Sequence, residues 1–218
     1  MQLLECSPEL LPNEQLSRLG NAVGRATDPA NMNGVSPYHQ TFWYELGKEP
    51  CNLVEEAVQE YFLPEIDATV RERAVGVEWW LGRLTAPYAE NFEFGVHRDF
   101  GENPQTGALE SPMLSSVFFL TTAPDGLLTV FPGQPDLQSK EKAHVFPSAN
   151  TYARFPGNLW HAVLSRKEVL GEPGPASGAP RVTILVNWWP YRPSSEATAP
   201  MRLVAADYDG TVYEELRI

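Results

Sequence analysis

The chain has 218 residues, 43% of them hydrophobic and 11% aromatic, which supports one domain with a full apolar core and excludes a disordered polymer. Its formal net charge of −12 repels phosphate backbones, so no nucleic-acid partner is expected. Cys6 and Cys51 have no metal-type spacing, the start MQLLECSPELLPNEQ lacks the basic, apolar form of a leader, and no apolar run spans a bilayer; a cytoplasmic protein with no membrane contact is expected.

Residues 12–26 (PNEQLSRLGNAVGRA) place Leu16, Leu19 and Val23 at helical spacing behind Pro12. A second helix starts after Asn52, with Glu55 completing a capping pattern and Leu53, Ala57, Val58, Tyr61 and Phe62 as its buried stripe, and Pro64 ends or kinks it. From Val75 the period becomes strand-like. Eight strands are predicted at 75–84, 92–98, 114–121, 126–131, 143–146, 151–155, 159–165 and 181–189, in a chain with twenty prolines and sixteen glycines. The fold class is mainly β with flanking helices: a jelly roll, with the helices packed on one sheet. One domain over 1–218 is expected, with a helical part at 1–74, a β core at 75–190 and a C-terminal hairpin extension at 191–218 around Asp209-Gly210. The stretches 100–112 and 165–180 read as mobile loops.

In a strand, residues two apart share a face, so His97 and Asp99 aim an imidazole and a carboxylate at one point while Arg98 faces away. His161, in FPGNLWHAVL, follows a Pro156-Gly157-Asn158 turn and enters an apolar strand. Together the three make a facial set of two histidines and one carboxylate with three open coordination positions. A non-haem iron oxygenase needs such an open face, because a bidentate co-substrate takes two positions and dioxygen the third. Arg181 and Thr183 share a face at the start of RVTILVNWW, and an arginine fork beside a hydroxyl clamps the far carboxylate of a dicarboxylic acid.

In their order along the chain, GVHRD, SSVFFLTT, DGLLTVFP, VFPSANTYARFPGNLWHAV and RVTILVNWW resemble the double-stranded β-helix core of the Fe(II)/2-oxoglutarate-dependent oxygenases, most closely the prolyl 4-hydroxylase-like branch. The resemblance covers about half of the chain, from Val75 to Trp189. It implies that His97, Asp99 and His161 bind Fe(II), and that Arg181 and Thr183 hold the C5 carboxylate of 2-oxoglutarate. It implies a dioxygenase that consumes O2, converts 2-oxoglutarate to succinate and CO2, and hydroxylates an unactivated C–H of an amino acid, a peptidyl residue such as proline, or a natural product. Three departures stand out. The 165–180 insertion lengthens the path from His161 to Arg181 and makes Arg166 a competitor for the clamp. Asn150 stands where the family often has glycine. Asp125-Gly126 replaces a glycine pair.

Two other readings of the same residues stay open. One is a cupin-like metalloenzyme that does not use 2-oxoglutarate, and the other a jelly-roll binding module whose histidines are structural. Of the remaining residues, His39 and His144 read as surface or structural, Arg83 and Arg154 as surface ion-pair formers, and most of the paired tryptophans as core or helix-packing residues, with Trp79 or Trp188 the ones to test as pocket lining.

Overall fold

A computed structural model describes residues 2–31, 41–85, 95–136, 140–174 and 177–194. The helices are α1 (Asn13–Ala26), α2 (Leu53–Ala57), α3 (Leu63–Glu65), α4 (Ala68–Arg73) and α5 (Arg166–Leu170). The strands are β1 (Glu5–Pro8), β2 (Phe42–Glu45), β3 (Gly76–Leu84), β4 (Gly101–Glu102), β5 (Leu109–Glu110), β6 (Leu114–Phe119), β7 (Leu127–Phe131), β8 (Ala143–Val145), β9 (Thr151–Pro156), β10 (Trp160–Leu164) and β11 (Arg181–Trp189).

Six strands form an antiparallel major sheet in the order β1-β9-β6-β11-β3-β2. A minor antiparallel sheet, β10-β7-β8, faces it. The segment at His97 extends the minor sheet by an isolated bridge to His161. The two sheets make the double-stranded β-helix. Of the predicted strand 92–98, residues 92–94 lie outside the described set, and the rest contributes that bridge. Of the expected C-terminal extension, residues from 195 onward, with the hairpin around Asp209-Gly210, also lie outside it.

Period-two alternation divides the major sheet. In β11 the even positions Val182, Ile184, Val186 and Trp188 pack into the largest core cluster with Leu19, Val23, Val58 and Phe62 from the helices. Phe62 stacks on Tyr152 at 4.7 Å and lies 5.1 Å from Phe118. The odd positions turn toward the minor sheet. Both faces being covered, β11 is buried almost throughout.

Local chemistry sets the helix ends. Asn52 Oδ1 accepts from the backbone N–H groups of Val54 and Glu55, both at 3.0 Å. The Glu55 carboxylate reaches one residue further back than expected and accepts from Cys51 N at 2.7 Å. A full capping box instead opens α5, at Ser165 and Glu168. The chain passes Pro64 through a π-helical turn at Val58–Phe62, which widens the helix where the proline ring would meet the carbonyl four residues earlier.

Both predicted loops have regular structure. Residues 100–112 contain the β4–β5 ribbon. Residues 165–180 contain α5, whose Val169 packs on Phe131, Ala162 and Leu164, and Gly171 ends it in the left-handed conformation. Asp125 Oδ1 accepts from Gly126 N at 2.8 Å and from Arg166 N at 2.6 Å, so the aspartate in place of a second glycine ties α5 to the sheet.

Asn150 explains its own departure from glycine. Its φ of 61° is left-handed, which asparagine tolerates better than most residues. Its side chain donates to Leu11 O and accepts from Leu11 N, both at 2.8 Å, joining the segment before α1 to the major sheet. Asn150→Gly keeps the backbone but loses both buried bonds, and we expect a loss of about 2 kcal/mol. Asn150→Ala adds a left-handed alanine, about 1 kcal/mol more. Urea unfolding at neutral pH measures both, and a glycine variant as stable as wild type removes the pairing from the account.

Candidate metal centre

His97 and His161 face each other across the bridge. His97 N donates to His161 O at 3.0 Å, and His161 N donates to His97 O at 2.9 Å. Paired residues point to one side of an antiparallel ladder, and here the ring centroids are 4.4 Å apart. Gly157 serves the turn that leads into β10: a Cβ there would lie 2.2 Å from Pro112 O. Asp99, two residues after His97, brings its carboxylate to the same point.

The imidazoles share one orientation. His97 Nδ1 lies 2.8 Å from Gly95 O, and His161 Nδ1 lies 3.2 Å from Leu159 O. A carbonyl only accepts, so each Nδ1 is the protonated nitrogen and each Nε2 presents a lone pair. His97 Nε2 is 3.6 Å from Asp99 Oδ1, and His161 Nε2 is 3.7 Å from Asp99 Oδ2. Those gaps are too long for good hydrogen bonds. They are close to the roughly 3 Å that separates adjacent donors sharing one ion at about 2.1 Å each. One ligand atom from each of the three residues lies within 4.8 Å of the others. Burial and the neighbouring His97 hold the His161 pKa below its ordinary value against the pull of Asp99, which keeps its lone pair available. The donor set therefore fits a divalent cation that accepts nitrogen and oxygen ligands.

Arg181 also lines this cavity. Its side chain is fully buried, Nη1 donates to Thr183 Oγ1 at 3.4 Å, and the guanidinium lies 5.2 Å from the Phe119 ring centre. Between Arg181 and the three donors the wall is mostly apolar: Trp80, Val117, Leu128, Phe155, Val163 and Leu185. Arg166, the competitor, stands on α5, pairs with Glu172 and covers the Phe146 ring. It does not line the cavity. Arg98 points away from the donors, between Phe100 and Trp160.

Several expectations move. Trp80, not Trp79 or Trp188, lines the cavity; the other two share the opposite parity and are buried in the helix-side core. His144 is exposed on β8. Arg154 pairs with Glu5 and Glu65, and Arg83 donates to Gly24 O at 3.2 Å. His39 lies outside the described residues. Asn187, Ser115 and Glu78 were not singled out, although each is a polar residue inside an apolar strand. Asn187 Nδ2 donates to Asp99 Oδ2 at 3.0 Å. Ser115 and Glu78 are its register partners on β6 and β3.

No protein-family model matches the chain, and no curated protein matches it. Solved structures do. The prolyl-4-hydroxylase of Pseudomonas putida aligns over 90% of this chain and 89% of its own, with 13% identity and a TM-score of 0.53. The chain shares the fold of that structure. A viral collagen prolyl hydroxylase from Paramecium Bursaria Chlorella virus-1 aligns over 86% and 89% of the two chains at 12% identity and a TM-score of 0.47. The non-haem α-ketoglutarate-dependent carbocyclase SnoK of nogalamycin biosynthesis aligns over 91% and 85% at 12% and 0.49. The first of these carries the fold assignment. Within this fold, β3, β6, β9 and β11 supply the central major-sheet strands, and β10 carries the second histidine.

Glu78 is buried on the cavity side of β3, its Oε1 has no hydrogen-bond partner, and burial, reinforced by the Asp99 charge, raises its pKa to about 8. An unfolded chain ionises this carboxyl near 4.5. The folded state holds the proton longer, so its contribution to stability is complete below that value and falls as pH rises to about 8. Glu78→Gln in the metal-free protein should equal wild type near the low end of this window. At the high end it should be more stable, by an amount on the order of a few kcal/mol. Thermal melts across the window test this, and parallel pH profiles of the two proteins contradict it.

Proposed function

We propose that this chain is an Fe(II)- and 2-oxoglutarate-dependent dioxygenase that hydroxylates an unactivated C–H of a small molecule or peptidyl residue. One observation carries the reading: two imidazole Nε2 atoms and one buried carboxylate converge on a cavity whose wall also holds a fully buried arginine. His97, Asp99 and His161 would hold the metal. Arg181, with Thr183 beside it, would hold the distal carboxylate of 2-oxoglutarate through the guanidinium fork. Bound there, iron supplies the oxidative chemistry by which 2-oxoglutarate, dioxygen and a substrate C–H give succinate, carbon dioxide and C–OH.

The protein's own contributions are positional. The carbonyls of Gly95 and Leu159 fix the imidazole tautomers. The apolar walls exclude water and leave the polar contacts at the two ends to set the direction of a bound diacid. The β4–β5 ribbon begins two residues after Asp99 and is tied to the end of the chain's last described segment by the Glu102–Ser194 bridge. We assign substrate selection to this ribbon rather than to 165–180, because α5 packs on the opposite side of the minor sheet. A reducing compartment suits the two exposed, free cysteines.

Anaerobic addition of Fe(II) and 2-oxoglutarate to the apoprotein should give a visible metal-to-ligand charge-transfer band. His161→Ala and Arg181→Ala should each abolish it at wild-type saturating concentrations and lower 2-oxoglutarate turnover at least 100-fold. Metal uptake without the band would favour a cupin-like enzyme, and no metal uptake would favour a binding module.

A further inference from the structure

Asn187 lies on β11 with Ser115 of β6 opposite it on one side and Glu78 of β3 on the other. All three are buried. Register sets Ser115 and Glu78 beside it, yet Ser115 Oγ and Glu78 Oε1 have no hydrogen-bond partners. The amide instead reaches Asp99, donating from Nδ2 to Oδ2 at 3.0 Å. An amide that bonds a carboxylate on another segment, and neither of its two register partners, has a specific orientation.

The two oxygens of Asp99 thereby differ. Oδ2 accepts the Asn187 amide at 3.0 Å and lies 3.7 Å from His161 Nε2, whereas Oδ1 lies 3.6 Å from His97 Nε2. We infer that Asn187 is a positioning residue that holds Asp99 as a one-oxygen ligand, reserving Oδ2 for itself and Oδ1 for the metal. The consequence is functional. A carboxylate that turned to chelate through both oxygens would occupy a coordination position that a bidentate 2-oxo acid or dioxygen needs. Asn187 keeps that position available, and it does so from the strand that also carries Arg181, so one rigid element sets both the metal ligand and the far end of the diacid site. This inference rests on the metal-centre reading proposed above.

The test is an anaerobic Co(II) titration of the metal-free full-length protein, followed by visible absorption, then by addition of 2-oxoglutarate. Asn187→Leu keeps the bulk and removes the donor. It should weaken Co(II) binding roughly 10- to 100-fold. At saturating Co(II) it should change the visible bands and weaken 2-oxoglutarate binding, while the metal-free melting temperature stays near wild type. Asn187→Gln, which retains an amide on a longer arm, should recover part of the Co(II) affinity. If the leucine variant does not fold, Asn187→Ser reads the same quantities without added apolar bulk. Leucine and serine variants that bind Co(II) like wild type, with unchanged bands, overturn the inference and leave the metal centre standing. Loss of Co(II) binding only in step with loss of metal-free stability, in both variants, overturns it in favour of a structural role. Failure of the wild type to bind Co(II) overturns the metal-centre reading and this inference together.

Discussion

The two-residue period of β11 governs the rest of the molecule. The strand is central in the major sheet and covered on both sides, so every residue in it is committed to one of two interiors. Its even positions face the helices and are all apolar. Its odd positions, Arg181, Thr183, Leu185, Asn187 and Trp189, face the minor sheet and are mostly polar. A slip of one residue would send Arg181 and Asn187 into the aromatic core around Phe62 and send Val186 and Trp188 toward the metal donors. Nine register pairs to β3 and six to β6 oppose such a slip. The precision of the site is thus borrowed from the packing of the opposite face.

The polar interior costs stability, and the structure limits that cost in different ways. Asp99 accepts a buried amide donor, a charge-assisted bond of about 1.5–3 kcal/mol. The histidines are satisfied at Nδ1 by backbone carbonyls. Glu78 avoids the cost of a buried charge by keeping its proton. Tyr152, at the helix side, donates to Ser116 Oγ at 2.9 Å, and Ser116 in turn donates to Val186 O at 2.9 Å, so the hydroxyls crossing the sheet form a closed chain. Two of the buried polar atoms without a hydrogen-bond partner, Ser115 Oγ and Glu78 Oε1, lie level with Asn187, and others, such as Thr129 Oγ1 on β7 and Arg83 Nε on β3, lie elsewhere in the sheets.

Long, strongly periodic elements could be read from the residues alone: helix 12–26 is α1 shifted by one residue, and strands 75–84 and 181–189 are β3 and β11 to within a residue. Short edge strands could not. β1 is ECSP, exposed at three of four positions, and only its pairing with β9 makes it a strand. β2 follows a stretch dominated by turn-forming residues, and its aromatic side chains are equally at home in a helix. The 165–180 segment misled because Gly and Pro at its far end masked a five-residue helix stabilised by a capping box and by docking on Phe131 and Leu164. At the site, His97, Asp99, His161, Arg181 and Thr183 stood out because metal and carboxylate chemistry restrict residue type. Trp80 was passed over because a Trp-Trp pair gives no parity; the glycine at 76, packed beneath Trp43, and the glutamate at 78 are what reveal it afterwards. Asn187 was passed over because its role exists only across the barrel, between strands far apart in sequence.

Charge at the centre links Glu78 to the proposed chemistry. A divalent ion held by two neutral imidazoles and one carboxylate retains a net charge of about +1 by simple counting. That residual charge draws an anionic 2-oxo acid into the open positions. A second ionised carboxylate nearby would cancel it, and Coulomb attraction in an apolar cavity is strong enough for the difference to matter. Glu78 is in register with Asn187, which touches Asp99, and its burial outweighs the interactions with Thr41 and Trp189 that favour an ionised form. Burial that holds Glu78 protonated would therefore preserve the proposed centre's affinity for an anion. An ionised carboxylate at Glu78 would weaken the proposed site, which is a physical reason for keeping a buried carboxyl protonated beside Asn187 and Asp99.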